Sequence, residues 1–179
     1  MKLPSTVLAT LVVFSPISAA EHLLNPVTTQ EPVTITWQTP DKYTDIEANG
    51  ELQSRFEQRV FKQLTQTLAQ SAEKVLQKGE QLQLTVTNVD LAGDVRPTFG
   101  ATSSDLRIVK SIYPPKISFS YKVIRGKNVL MHGEEKLTDL NFLGGIRPLR
   151  DTVAMYEGEL LKHWFNQTIA PRREGVPPK

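Results

Sequence analysis

The segment Asp90-Leu91-Ala92-Gly93-Asp94 sets two carboxylates across a turn-forming glycine, where an alternating run of residues gives way to a polar loop. Side chains that leave the end of a strand are held by a rigid edge, and binding or catalytic groups are often built there. Asp45, Asp139 and Asp151 also fall where regular patterns end. Two or three of these carboxylates brought together would make an acid/base pair for hydrolysis, or an oxygen site for a hard cation such as Ca²⁺. The same residues have a plainer role. An Asp ahead of a turn glycine accepts hydrogen bonds from nearby amides, and Asp151 stands where it can cap a helix. That turn chemistry accounts for Asp-x-x-Gly-Asp without a ligand, so neither a metal nor a cofactor is expected. Arg147 and Arg150, in the loop that follows Gly144-Gly145, add a different possibility. Their guanidinium groups suit a carboxylate or phosphate partner.

Other chemistries lack their parts. His22, His132 and His163 are isolated, with no second histidine three or four residues away to form a metal pair. Ser103-Ser104 lies in a loop, no Gly-x-Ser-x-Gly elbow occurs, and no Ser-x-x-Lys opens a helix. Gly144-Gly145 is not followed by the lysine of a phosphate-binding loop. The absence of cysteine excludes disulfides, thiolate metal sites, a cysteine nucleophile and lipid anchoring through an N-terminal cysteine.

The first twenty residues carry an address. Lys2 gives a positive start, Val7 to Phe14 an apolar core, Pro16 a break, and Ser18-Ala19-Ala20 a small-residue cleavage site before Glu21. The apolar stretch is too short to span a bilayer, which takes about 20 residues. A signal peptide over 1–20, cut at Ala20/Glu21, is therefore expected, with the mature chain in the periplasm and no transmembrane segment after cleavage. Of the 21 basic residues only Lys2 is lost with it, leaving a near-neutral chain with interspersed charge against 19 acidic residues. Such a balance argues against nucleic acid as a partner, since phosphates call for a dense basic face.

The elements that would position these residues follow from periodicity. Residues 21–32 show no period and contain Pro26 and Pro32, which predicts a flexible lead-in. Val33 to Trp37 alternates as a strand. From Glu51, apolar residues recur as Leu52, Phe56, Val60, Leu64, Leu68, Ala72 and Val75/Leu76, a helical stripe opened by Asn49-Gly50 and stopped at Gly79. Gln81 to Thr87 alternates strictly, 94–105 reads as a loop, and Leu106 to Tyr113 as a further strand. Ile117 to Val123 and Val129 to Leu137 form a hairpin around Arg125-Gly126-Lys127-Asn128. A last helix carries Val153, Met155/Tyr156, Leu160/Leu161, Trp164 and Phe165, ends at Pro171, and leaves a disordered tail over 171–179. Tyr43 and Tyr113, at strand ends, either anchor loops or rim a groove. Each helix has one apolar face, so the expected architecture is a single α+β domain over 33–170. It has two layers, with two helices on one face of a mixed or mainly antiparallel sheet of four to five strands.

Several short signatures coincide in this chain: Trp37 with Pro40, Tyr43, Thr44 and Asp45; Asp90-Leu91-Ala92-Gly93-Asp94; Arg107-Ile108-Val109; Tyr113-Pro114-Pro115; Leu137-Thr138-Asp139; and Trp164-Phe165. Together they resemble the bacterial family catalogued as domain of unknown function 3016, over about residues 33 to 166. The resemblance implies a small exported envelope protein and no particular activity. The functional expectation is a non-catalytic module that binds a periplasmic protein or envelope component through Asp45, Asp90, Asp94, Arg147 and Arg150. The alternative is a carboxylate-dependent hydrolase of an envelope polymer, with Asp90 and Asp94 or Asp139 as acid and base.

Overall fold

The structure is a computed structural model that describes residues 25–99, 106–144 and 152–174. Its centre is a five-stranded sheet in the order β1-β2-β3-β6-β7, built from β1 (Val27–Gln30), β2 (Val33–Trp37), β3 (Glu80–Asp90), β6 (Lys116–Arg125) and β7 (Asn128–Thr138). The remaining strands, β4 (Asp94–Arg96) and β5 (Leu106–Ile108), form a separate two-stranded ribbon. Strands β2 and β3 run parallel, joined by the crossover helix α1 (Gln53–Ala72), while all other pairs are antiparallel. Helix α2 (Met155–Thr168) packs beside α1. This is the α+β architecture expected, a mixed and mostly antiparallel sheet with both helices on one face.

Alternation drives the layering. Leu82, Leu84 and Val86 of β3 and Ile117, Phe119, Tyr121 and Val123 of β6 turn inward. They meet Phe56, Val60, Phe61, Leu64 and Leu68 of α1 and Leu161, Trp164 and Phe165 of α2. Trp37 stacks on Phe61 at 4.2 Å between ring centres, and Trp164 meets Phe119 and Tyr121 edge-on at 4.8 and 5.0 Å. Rings in these orientations add about 1 kcal/mol each beyond the area they bury.

Several boundaries differ from the expectations, including the expected loop 94–105, whose first residues form β4. The expected flexible lead-in 21–32 contains β1, which pairs with β2. Its one inward residue, Thr28, accepts the Trp37 indole N–H at 2.9 Å and lies 2.5 Å from Thr65 Oγ1 of α1. Helix α1 stops at Ala72 rather than near Gly79, although Val75 and Leu76 still pack on the core. Its first turn is held by Gln53 in place of Asn49-Gly50. Gln53 Oε1 accepts the Ala48 amide at 3.0 Å, and its Nε2 donates to Ile46 O at 2.8 Å. The strand expected over 106–113 ends at Ile108, since residues 110–113 make a turn closed by the Tyr113 N–H on Lys110 O at 3.0 Å. Pro171 does not end the last helix. A short helix α3 (Ala170–Glu174) follows α2, with Pro171 in the first turn, where its missing N–H has no helical partner to lose. Asp151, expected to cap α2, lies outside the described residues, and the observed N-cap is Ala154, which makes no side-chain cap bond.

Candidate functional site

The ribbon folds back onto the strand ends through Gly93. Its φ of +91° lies in the left-handed region, and a Cβ at this position would come within 2.8 Å of Ile108 O, so glycine is required both for the turn and for the approach of β5. With β5 so placed, Arg107 points inward. Its Nη1 donates to Asp45 Oδ2 at 2.7 Å and its Nη2 to Asp45 Oδ1 at 3.0 Å, a paired fork, and Nη2 also donates to Glu47 O at 2.9 Å. The two side chains are only 15% and 19% exposed. Asp45 is itself fixed by the end of β3, with its N–H donating to Val89 O and its carbonyl accepting the Leu91 N–H. The Arg107 Nε is buried and has no partner among the described residues.

Beside this pair lies Glu157, 1% exposed, in the first turn of α2. The Ala92 N–H donates to its Oε1 at 2.6 Å, tying α2 to the turn between β3 and β4. Burial pushes its pKa from 4.5 up to about 7; the amides of Ala92 and of Glu157 itself, and the charge of Arg107, pull the other way, and Asp45 adds to the rise. Near neutral pH this carboxyl therefore exchanges between charged and neutral forms inside the protein.

Arg107 and Asp45 form a wall between two clefts of opposite character. On the Arg107 side is an opening of about 590 Å³ with apolar walls that include Phe56, Leu91, Val109 and Met155, and with Arg59, Arg107, Asn49 and Glu157 as polar groups. Phe142 packs edge-on against Tyr156 of α2 at 4.9 Å. On the Asp45 side is a groove of about 580 Å³ bordered by Asp41, Asp45, Glu47, Glu57, Asp90 and Asp94. Despite that concentration of acid, no group of three or more His, Cys, Asp or Glu side chains among the described residues converges to hold a metal ion.

The residues singled out from sequence are not gathered into one site. Asp90 pairs with Lys116 at 2.7 Å, Asp94 pairs with Arg96, and Asp139 accepts the Asn141 N–H at 2.8 Å, so each serves its own strand or turn. Asp45 is at the centre, but as the partner of Arg107. Arg147 and Arg150 lie outside the described residues. Tyr43 anchors its loop, donating from its hydroxyl to Val86 O at 3.0 Å, and burial raises its pKa. Tyr113 accepts a hydrogen bond from Arg96 at 2.8 Å. Two residues escaped the sequence reading. Glu157 carried a legible signal, a carboxylate on the apolar stripe of Val153, Leu160/Leu161 and Trp164. Arg107 carried no such signal: its place between Leu106 and Ile108 in an alternating segment predicts an outward side chain, whereas it is the two apolar neighbours that are exposed.

The family model described as "Protein of unknown function (DUF3016)" matches residues 31–167. The chain belongs to the DUF3016 family. No curated protein and no solved structure matches it. The DUF3016 match takes in Asp45, Ala92, Arg107 and Glu157, and with them both clefts; the signal segment expected at 1–20 and the tail from 171 fall outside it. No helix among the described residues is long and apolar enough to cross a membrane.

Proposed function

We propose that this DUF3016 protein is an exported, non-catalytic binding module of the periplasm, freed of residues 1–20. Its cleft beside Arg107 takes an anionic, partly apolar ligand or the equivalent group of an envelope partner. The observation that carries this reading is the cleft lining. Its volume falls within the range of small-molecule sites, its walls include Phe56, Leu91, Val109 and Met155, and its charged lining is two cations, Arg59 paired with Glu51 and Arg107 paired with Asp45, and one carboxyl, Glu157. The hydrolase alternative has less support. Asp90, Asp94 and Asp139 are each engaged elsewhere, leaving Glu157 as the one acid at the cleft, without a second carboxylate beside it among the described lining residues.

Native mass spectrometry of the protein recovered from its own host tests the proposal. Val109 lines the cleft and is 39% exposed, so Val109→Trp fills the opening without disturbing the core. The wild type is expected to carry a bound anionic species that Val109→Trp and Arg59→Ala lose. A species retained in all three proteins would refute the assignment.

A further inference from the structure

Resting on that reading of the cleft, we propose that the ligand is taken up together with a proton on Glu157, so that anion affinity falls as the pH rises through neutrality. The geometry is a carboxyl enclosed at the edge of an anion-binding cleft. The charged groups that face it are Arg107 from β5 and Asp45 from the segment before α1, while Arg59 of α1 stands at the cleft, paired with Glu51. When Glu157 is neutral, Asp45 and Arg107 balance each other. The protonated carboxyl of Glu157, which lines the cleft, can then itself donate to an acceptor on the ligand. When Glu157 is ionised, a second carboxylate lies in the field of a guanidinium already paired with Asp45, and the cleft gains a negative charge in a place where water screens little.

An anion that enters the cleft therefore holds the proton on Glu157, and the proton holds the anion. Linkage makes the two effects equal. A single proton limits the change to tenfold per pH unit, and an overall change of about tenfold between pH 6 and 8.5 lies within usual coupling strengths. The raised pKa of Glu157 places that change near neutrality.

The probe is 1-anilinonaphthalene-8-sulfonate, whose sulfonate stays ionised over this pH range and whose rings fluoresce on entering an apolar cleft. With wild-type protein its Kd is expected to rise about tenfold from pH 6 to 8.5. With Glu157→Gln it stays flat at the wild-type acid value. Calorimetry of the wild type at pH 7.5, in two buffers of different ionisation enthalpy, gives a second measure that needs no variant, with net proton uptake on binding expected. Equal pH profiles in a folded Glu157→Gln protein, or no proton uptake, overturn the linkage and leave the cleft assignment standing. Probe binding indifferent to Val109→Trp overturns both.

Discussion

Replacing Glu157 by Gln keeps the acceptor for the Ala92 N–H and removes the titration, so the pair of proteins isolates the cost of burying this charge. The carboxyl has its ordinary pKa of 4.5 in the unfolded chain and about 7 when folded. Between those values the folded state binds more protons than the unfolded one, so stability falls as the pH rises from about 4.5 to about 7 and is level outside that window. The shift corresponds to roughly 3 kcal/mol, a large share of the 5–15 kcal/mol typical of a folded domain. Other groups titrate over the same range, so the quantity to follow is the difference between the two proteins. Urea unfolding at half-unit steps from pH 4 to 8.5 should show Glu157→Gln gaining about 3 kcal/mol on the wild type, at no more than about 1.4 kcal/mol per pH unit. Two parallel stability profiles would contradict this expectation. They would mean that Glu157 reaches water or a counter-charge in the folded protein and is not paying for burial.

Asp45→Ala leaves the Arg107 guanidinium largely buried and without its carboxylate, and should cost about 3 kcal/mol in urea unfolding, with part of the loss recovered in Asp45→Ala/Arg107→Leu. Gly93→Ala, at a φ of +91° and with its methyl against Ile108 O, should cost roughly 2 kcal/mol or more by the same assay and loosen the ribbon in amide exchange. Asp90→Ala breaks an ion pair whose lysine is 47% exposed, and should cost under about 1 kcal/mol with an unchanged circular dichroism spectrum.

The parts of this fold that were legible in sequence are those in which periodicity is strong on both faces. Gln81 to Thr87 alternates without a break, and the stripe from Phe56 to Leu68 holds its spacing for more than three turns. Strand β1 was hidden because only Thr28 of its four residues faces the core, and a hydroxyl satisfied by Trp37 and Thr65 looks polar in a sequence. The ribbon was half legible. Leu106 to Ile108 alternates, but its partner strand is a three-residue piece, Asp94 to Arg96, that a loop-like composition conceals. The site was less legible still. Turn-end aspartates announce themselves by their neighbours, and Asp90 and Asp94 prove to be held by nearby cations on strands of the same sheet or ribbon. The pairing of Asp45 with Arg107 spans 62 positions and depends on Gly93 letting the ribbon close, a long-range contact that no local spacing encodes.

The most direct measurement of the central claim is a two-dimensional amide NMR titration of the protein with decanoate, a carboxylate on an apolar chain. Shifts are expected to gather at Arg59, Leu91, Ala92, Arg107, Val109 and the first turn of α2, all on one side of the wall that Asp45 and Arg107 make. Shifts confined to the acidic groove around Asp41, Asp90 and Asp94, or shifts scattered over the sheet, would contradict the claim.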